Sequence, residues 1–291
     1  MAYPFPGVGA VLVTWVYSVG IVAASKLCDR PKPTVVGPVN LTMQSFADVQ
    51  AEISKGAYRN SGMVNWHTND NRFMGPQHTC AVPLPKIFHW IWLGGVLPQK
   101  YRNNIEQVMK VNPAWTGYLW VDVLVDPPHK AVKVIDWREF HKVHPFVNAD
   151  IIEKEQNLGG KSDTLRLEVV YKVGGMYIDT DTQAAHPLDS FGDVFRWPIV
   201  TWVGPVYSNL CNCMFAFRKH SPFLKYAIDA ARENCLKFRT CGTGSGAGPG
   251  FLTGAILTYK PQHVLYIHQK YLIVPKSSSN VMYQTLDATW L

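Results

Sequence analysis

The sequence predicts an α/β domain, a mainly parallel sheet flanked by helices, over residues 83–291. The chain has 291 residues, 47% hydrophobic and 17% charged, enough apolar side chain for one sizeable core and too little charge for a disordered chain. Strand, helix and strand patterns follow one another with short links from Lys86 to Val121, the signature of parallel βαβ units. A helix-spaced run ends at Gly174-Gly175 and gives way at once to the short apolar run Met176-Tyr177-Ile178, so the period changes from helix to strand.

Taken in order, Met1 to Ser25 carries no charged side chain, and Val8 to Ala24 is an apolar run of about bilayer length. Residues 1–25 are read as a signal anchor or a signal peptide. Ala23-Ala24-Ser25 offers small residues for cleavage. Lys26, Arg30 and Lys32 follow the run, which by the positive-inside rule keeps that side cytoplasmic and conflicts with a lumenal catalytic domain. Residues 26–82 read as a Pro-rich linker and stem. Pro31, Pro33 and Pro38 extend the chain, Asn40-Leu41-Thr42 is a glycosylation acceptor triplet, and Phe46, Val49 and Ile53 are spaced for one helix.

Pro83-Leu84-Pro85 opens the catalytic domain, and KIFHWIWLGG reads as a buried strand with a glycine turn. Tyr101 to Val111 is spaced for an amphipathic helix with Ile105 and Val108 inward. Thr116 to Val121 forms the next strand, with Asp122 at its C-terminal end as a nucleotide contact or a helix cap. The stretch from Asp126 to Asp150 reads as an inserted helical segment. Leu165, Val169 and Val173 form an apolar stripe on a helix with Ser162 as N-cap and Gly174 just past its end, and Asp163 and Arg166 share one face. Further on, Pro198 to Val203 and Cys211 to Phe217 read as strands, and Pro222 to Ala231 and Thr253 to Tyr259 as helices. The six glycines between Gly242 and Gly254 fit neither a dinucleotide fingerprint nor a P-loop.

Asp179 and Asp181 stand two apart after the apolar run, a spacing that in extended chain points both carboxylates the same way. Two convergent carboxylates at the C-terminal end of a strand suit a hard divalent cation carrying a diphosphate. The formal net charge of +7 comes from scattered Lys and Arg with no block of like charge, which speaks against a nucleic-acid binder. Six cysteines allow disulfides in an oxidising compartment. Cys211-x-Cys213 with Cys235 and Cys241 lacks the paired CxxC spacing of a zinc site.

At Lys161 to Asp181 and Lys86 to Gly95 the chain resembles the DXD-motif glycosyltransferases of family 32, and is similar to the catalytic domain of the large clostridial glucosylating toxins. The resemblance implies the GT-A nucleotide-sugar-binding fold. It also implies a metal-dependent retaining transferase that moves a hexose or N-acetylhexosamine to a hydroxyl of a glycan, lipid or protein. Mn²⁺ or Mg²⁺ is the implied cofactor, with a UDP-sugar favoured over GDP-mannose as donor.

By the same resemblance Asp179 and Asp181 handle the metal and donor, Asp163 binds donor-sugar hydroxyls, and Arg166 contacts the sugar or diphosphate unless it forms a local ion pair with Asp163. Trp92 would stack on the base and Tyr177 would lie near the ribose. Asn212 would lie near donor or acceptor, while His89 is read as structural. In the C-terminal stretch Asp287 and Thr289 would complete the metal site and Trp290 would supply an indole, although the family's His is missing there. A membrane of the Golgi or another secretory compartment is the implied location, or secretion if the first segment is cleaved. The competing readings are a toxin-like transferase acting on a host protein and a non-catalytic nucleotide-sugar or glycan-binding module.

Overall fold

The computed structural model describes residues 43–44, 84–190, 198–203, 209–242, 246–261, 264–268, 282–285 and 287. The apolar run 8–24, Phe46, Val49, Ile53, Cys28, Cys80, Thr289 and Trp290 lie outside the described residues. Among the described residues no helix is long and apolar enough to cross a membrane.

The strands are β1 (Met43–Gln44), β2 (Ile87–Trp92), β3 (Thr116–Val121), β4 (Val132–Asp136), β5 (Gly175–Ile178), β6 (Thr182–Ala184), β7 (Ile199–Val203), β8 (Asn209–Phe217), β9 (Leu265–His268) and β10 (Met282–Gln284). The helices are α1 (Gln99–Val111), α2 (Trp137–Val143), α3 (Ala149–Lys154), α4 (Leu158–Val173), α5 (Pro222–Phe238) and α6 (Pro249–Tyr259). Eight strands form one sheet in the order β1-β9-β7-β8-β5-β2-β3-β4, and β10 pairs with β6 in a small second sheet. The pairs β4-β3, β3-β2, β2-β5 and β7-β9 are parallel, whereas β8 runs antiparallel to both β5 and β7. The expected mainly parallel sheet is therefore present, with an antiparallel strand at its centre.

Alternation along each strand builds two apolar layers. Phe88, Trp90, Leu119, Val121, Met176 and Ile178 pack on the α1 side with Ile105 and Val108. Trp120, Tyr177, Phe215 and Phe217 pack on the other side with Leu165 and Val169 of α4 and residues of α5 and α6. His89 is fully buried between them. Its Nδ1 accepts from Trp120 Nε1 (3.0 Å), which leaves Nε2 to donate to Gly174 O (2.8 Å). Burial holds its pKa down at about 4, so it is a neutral structural histidine.

Several boundaries differ from those the sequence predicts. Helix α4 begins at Leu158, because the Asn157 side chain accepts from Gly160 N at 2.8 Å and caps it, leaving Ser162 inside the helix. The supposed helical insertion contains the edge strand β4, where Val132 is buried. Asp136 then caps α2 by accepting from Arg138 N and Glu139 N. Helix α6 starts at Pro249, where proline fits the first turn. Asp122 neither caps a helix nor stands free, since both its carboxylate oxygens accept from Gly94 N, joining the loops after β2 and β3.

Candidate donor-sugar site

The junction of α4 and β5 sets the site. Gly174 and Gly175 have φ of +76° and +111°, and a Cβ on Gly175 would stand 2.5 Å from Ile87 O. Only glycine can therefore turn the chain from helix into a strand laid against β2. Strand β5 ends at Ile178, and Asp179 to Thr182 forms a turn closed by Thr182 N donating to Asp179 O at 3.1 Å. The two aspartates thus lie in a turn, not in the extended chain the spacing suggests.

Helix α1 holds that turn from one side: Asn104 Nδ2 donates to Thr180 O (3.1 Å), and Gln107 exchanges two hydrogen bonds with the Ala184 backbone. From another side β10, paired in register with β6, brings Gln284 opposite Thr182.

Asp163, Arg166, Asp179 and Asp181 meet at one cavity of about 420 Å³, with Trp92, Tyr177 and Asn212 also in its wall. The Asp163 carboxylate takes Arg166 Nη2 (2.9 Å) and Asn212 Nδ2 (2.8 Å) on Oδ1, while its Oδ2 is buried without a partner. Asp179 accepts from the Tyr177 hydroxyl on Oδ1 (2.6 Å) and from Gln284 Nε2 on Oδ2 (2.8 Å). Asp181 accepts from Asp287 N on Oδ2 (3.1 Å), and its Oδ1 is also buried without a partner. Among the described residues, two carboxylate oxygens in this cavity are therefore without a hydrogen-bond partner.

Electrostatics agree. Burial raises the Asp163, Asp179 and Asp181 carboxyls, reaching about 6 for Asp181, where the neighbouring Asp179 adds to the effect. One guanidinium serves the three acids, so a divalent cation would relieve the remaining repulsion.

Some expected roles change. Arg166 is taken up internally: Nη1 donates to Asn212 O (2.8 Å) and stands 3.6 Å from Asp179 Oδ1. Nη2 reaches Ser162 Oγ (3.1 Å) as well as Asp163, and Nε donates to Ser162 O (3.2 Å). It also lies 4.4 Å over the Tyr177 ring. The local ion pair with Asp163 is present, and Arg166 links Asp163 and Asp179 within the cavity wall. Tyr177 is 2% exposed and its hydroxyl donates to Asp179, so it buttresses a carboxylate in the cavity wall.

Asp287 comes next to Asp181 through its backbone N–H, while its carboxylate pairs with Lys100 Nζ at 2.6 Å. Among the described residues no group of three or more His, Cys, Asp and Glu assembles as a metal centre. The acids present still fit a cation that takes part of its coordination from a ligand, through the unpartnered Asp181 Oδ1. Sequence reasoning missed Ser162 and Gln284. The sequence marks Ser162 only as a cap, and Gln284 carries no local signal because the β10-β6 pairing alone brings it there.

The sheet carries its Asp-x-Asp turn at the end of the central strand β5, and the comparisons show what this arrangement is similar to. Residues 98–196 match the family described as glycosyltransferase sugar-binding region containing DXD motif. Subversion of eukaryotic traffic protein A of Legionella pneumophila is 23% identical over 191 residues, 62% of this chain and 30% of that protein. Inositol phosphoceramide mannosyltransferases 3 and 1 of Schizosaccharomyces pombe are 26% and 24% identical over 51% and 68% of this chain, and 37% and 56% of theirs. The chain thus spans between about a third and just over half the length of these relatives. Among solved structures, PaToxG glycosyltransferase superimposes with a TM-score of 0.51 at 22% identity, over 61% of this chain and 70% of that one, which shows the shared fold.

Proposed function

We propose that this protein is a metal-dependent retaining glycosyltransferase that moves a hexose or N-acetylhexosamine from a nucleotide-sugar to a hydroxyl acceptor. The observation that carries the reading is the pair of unpartnered buried oxygens, Asp163 Oδ2 and Asp181 Oδ1, in the wall of one cavity behind the DXD turn.

Asp181 and Asp179 would hold Mn²⁺ or Mg²⁺, which when bound neutralises charge on the departing diphosphate. Asp163 Oδ2 would accept from a donor-sugar hydroxyl, a reading supported by its burial without a partner among the described residues. Arg166 holds Asp163 and Asp179 in register and moderates their mutual repulsion. Trp92, partly exposed in the cavity wall with its ring 5.0 Å from that of Tyr101, offers a face for the base. As part of this proposal Thr289 would complete the metal site and Trp290 would supply an indole to the donor. The proposal takes front-face attack by the acceptor hydroxyl as the route of transfer, in contrast to the two flanking carboxylates of a glycoside hydrolase. A membrane-attached position in the secretory pathway belongs to the same proposal, supported by the apolar run 8–24.

The test is turnover of a panel of UDP- and GDP-sugars by the full chain, with and without Mn²⁺. The names of the yeast relatives add mannose to the donors and inositol phosphoceramide to the glycan and protein acceptors. Metal-dependent release of the nucleotide from one donor, abolished in Asp181→Ala, supports the reading. Nucleotide binding without turnover on any acceptor would replace it with the non-catalytic module.

A further inference from the structure

Strand β8 carries a cross-link that the reaction described above does not use. Cys211 and Cys213 are joined by a disulfide that encloses only Asn212, and all three residues stand in the cavity wall. The strand is irregular at this point. Thr201 of β7 faces Cys211, yet the preceding Val200 faces Phe215, so the residues between bulge out of the ladder.

Three hydrogen bonds to the site leave from this short stretch. Asn212 O accepts from Arg166 Nη1 at 2.8 Å, Asn212 Nδ2 donates to Asp163 Oδ1 at 2.8 Å, and Cys213 O accepts from Asp179 N at 3.0 Å. The sulfurs stay within the turn they brace, with Cys213 N donating to Cys211 Sγ at 3.3 Å. One covalent link thereby fixes the partner atoms of Asp163, Arg166 and Asp179 together.

We propose that the Cys211–Cys213 disulfide is a positioning element of the donor site: it fixes the β8 bulge so that Asn212 and the Cys213 carbonyl hold the three charged groups, and opening it weakens donor binding. The inference rests on the donor-site reading. A bulge re-aims side chains only while its backbone is held, and an opened one regains the freedom of an unpaired strand segment. Reduction is balanced by a dithiol reagent: one S–S bond breaks, two electrons and two protons arrive to form two thiols, and the reagent leaves as its cyclic disulfide. The second cross-link, Cys235–Cys241, opens under the same reagent, so reduction alone does not isolate the effect and a double variant is needed.

The experiment uses the full chain in three forms: unreduced, treated with dithiothreitol, and Cys211→Ser/Cys213→Ser. Calorimetry with Mn²⁺ and UDP-glucose or GDP-mannose gives Kd, and hydrogen exchange by mass spectrometry follows the amides of Asp179 and residues 211–214. Weakening of about tenfold is expected in both the reduced and the double-variant protein, the loss of about one hydrogen bond to a charged group. Exchange at Asp179 should rise in both, and dithiothreitol should change neither readout further in the double variant. Equal affinity in all forms, or alkylation that finds Cys211 and Cys213 both free in unreduced protein, overturns the inference. If no form binds a donor, the donor-site reading falls. The exchange comparison then judges the cross-link by itself, and unchanged protection at Asp179 would show that it positions nothing.

Discussion

Glu168 should make this protein less stable as the pH rises from about 4.5 to about 7, and Glu168→Gln should remove that loss. The residue is fully buried on α4, accepting from Asn148 N at 2.8 Å on Oε1, while Oε2 and the nearby Asn148 Oδ1 both lack a partner among the described residues. Burial raises its carboxyl from 4.5 to about 7, despite opposing hydrogen bonds from the backbone. In the unfolded chain it ionises from about 4.5 upward, so between that value and 7 the unfolded state binds fewer protons than the folded one, and stability falls with pH. Below 4.5 both states are protonated and nothing is lost; above 7 the loss is complete. At about 1.4 kcal/mol per unit the gap amounts to about 3 kcal/mol as an upper estimate. Urea unfolding of wild type and Glu168→Gln from pH 4 to pH 8, without divalent metal, gives the test. The two should match near pH 4, and the variant should be up to about 3 kcal/mol more stable near pH 8. A difference that does not vary with pH would refute the argument.

Other expectations concern the frame and the cavity. Arg166→Met should cost about 3 kcal/mol at pH 7, since it leaves Asp163 and Asp179 buried without their counter-charge. The cost should shrink near pH 4, where both acids can be protonated, and urea midpoints at the two values would show it. Gly175→Ala combines a φ of +111° with a Cβ placed 2.5 Å from Ile87 O. It should lose about 2 kcal/mol or more, read as a drop in thermal midpoint. Trp92→Ala should raise KM for the nucleotide-sugar about tenfold with a smaller change in kcat, if stacking is worth a typical aromatic-base contact.

Much of the frame could be read from the chain because it rests on local chemistry. The glycine pair at 174 and 175 marks the helix-to-strand turn, and Leu165 with Val169 marks the face of α4 that packs on the sheet. The cluster of Asp163, Arg166, Asp179 and Asp181 followed from the same stretch, and all four do line one cavity. Long-range pairing was not legible. Gln284 reaches Asp179 only because β10 finds β6 about a hundred residues earlier. The saturation of Arg166 depends on Asn212 O, which a bulge on a distant strand presents. The pairing of Asp287 with Lys100 likewise depends on α1, and no spacing within the last residues encodes it.

The most direct test of a cation site at the DXD turn is a titration of the full chain with Mn²⁺ followed by electron spin resonance, with and without UDP. Wild type should take up one Mn²⁺ more tightly when UDP is present, and Asp181→Asn should weaken uptake at least about tenfold, because it replaces the carboxylate that carries the unpartnered oxygen. Equal Mn²⁺ uptake by wild type and Asp181→Asn, unaffected by UDP, would contradict the account.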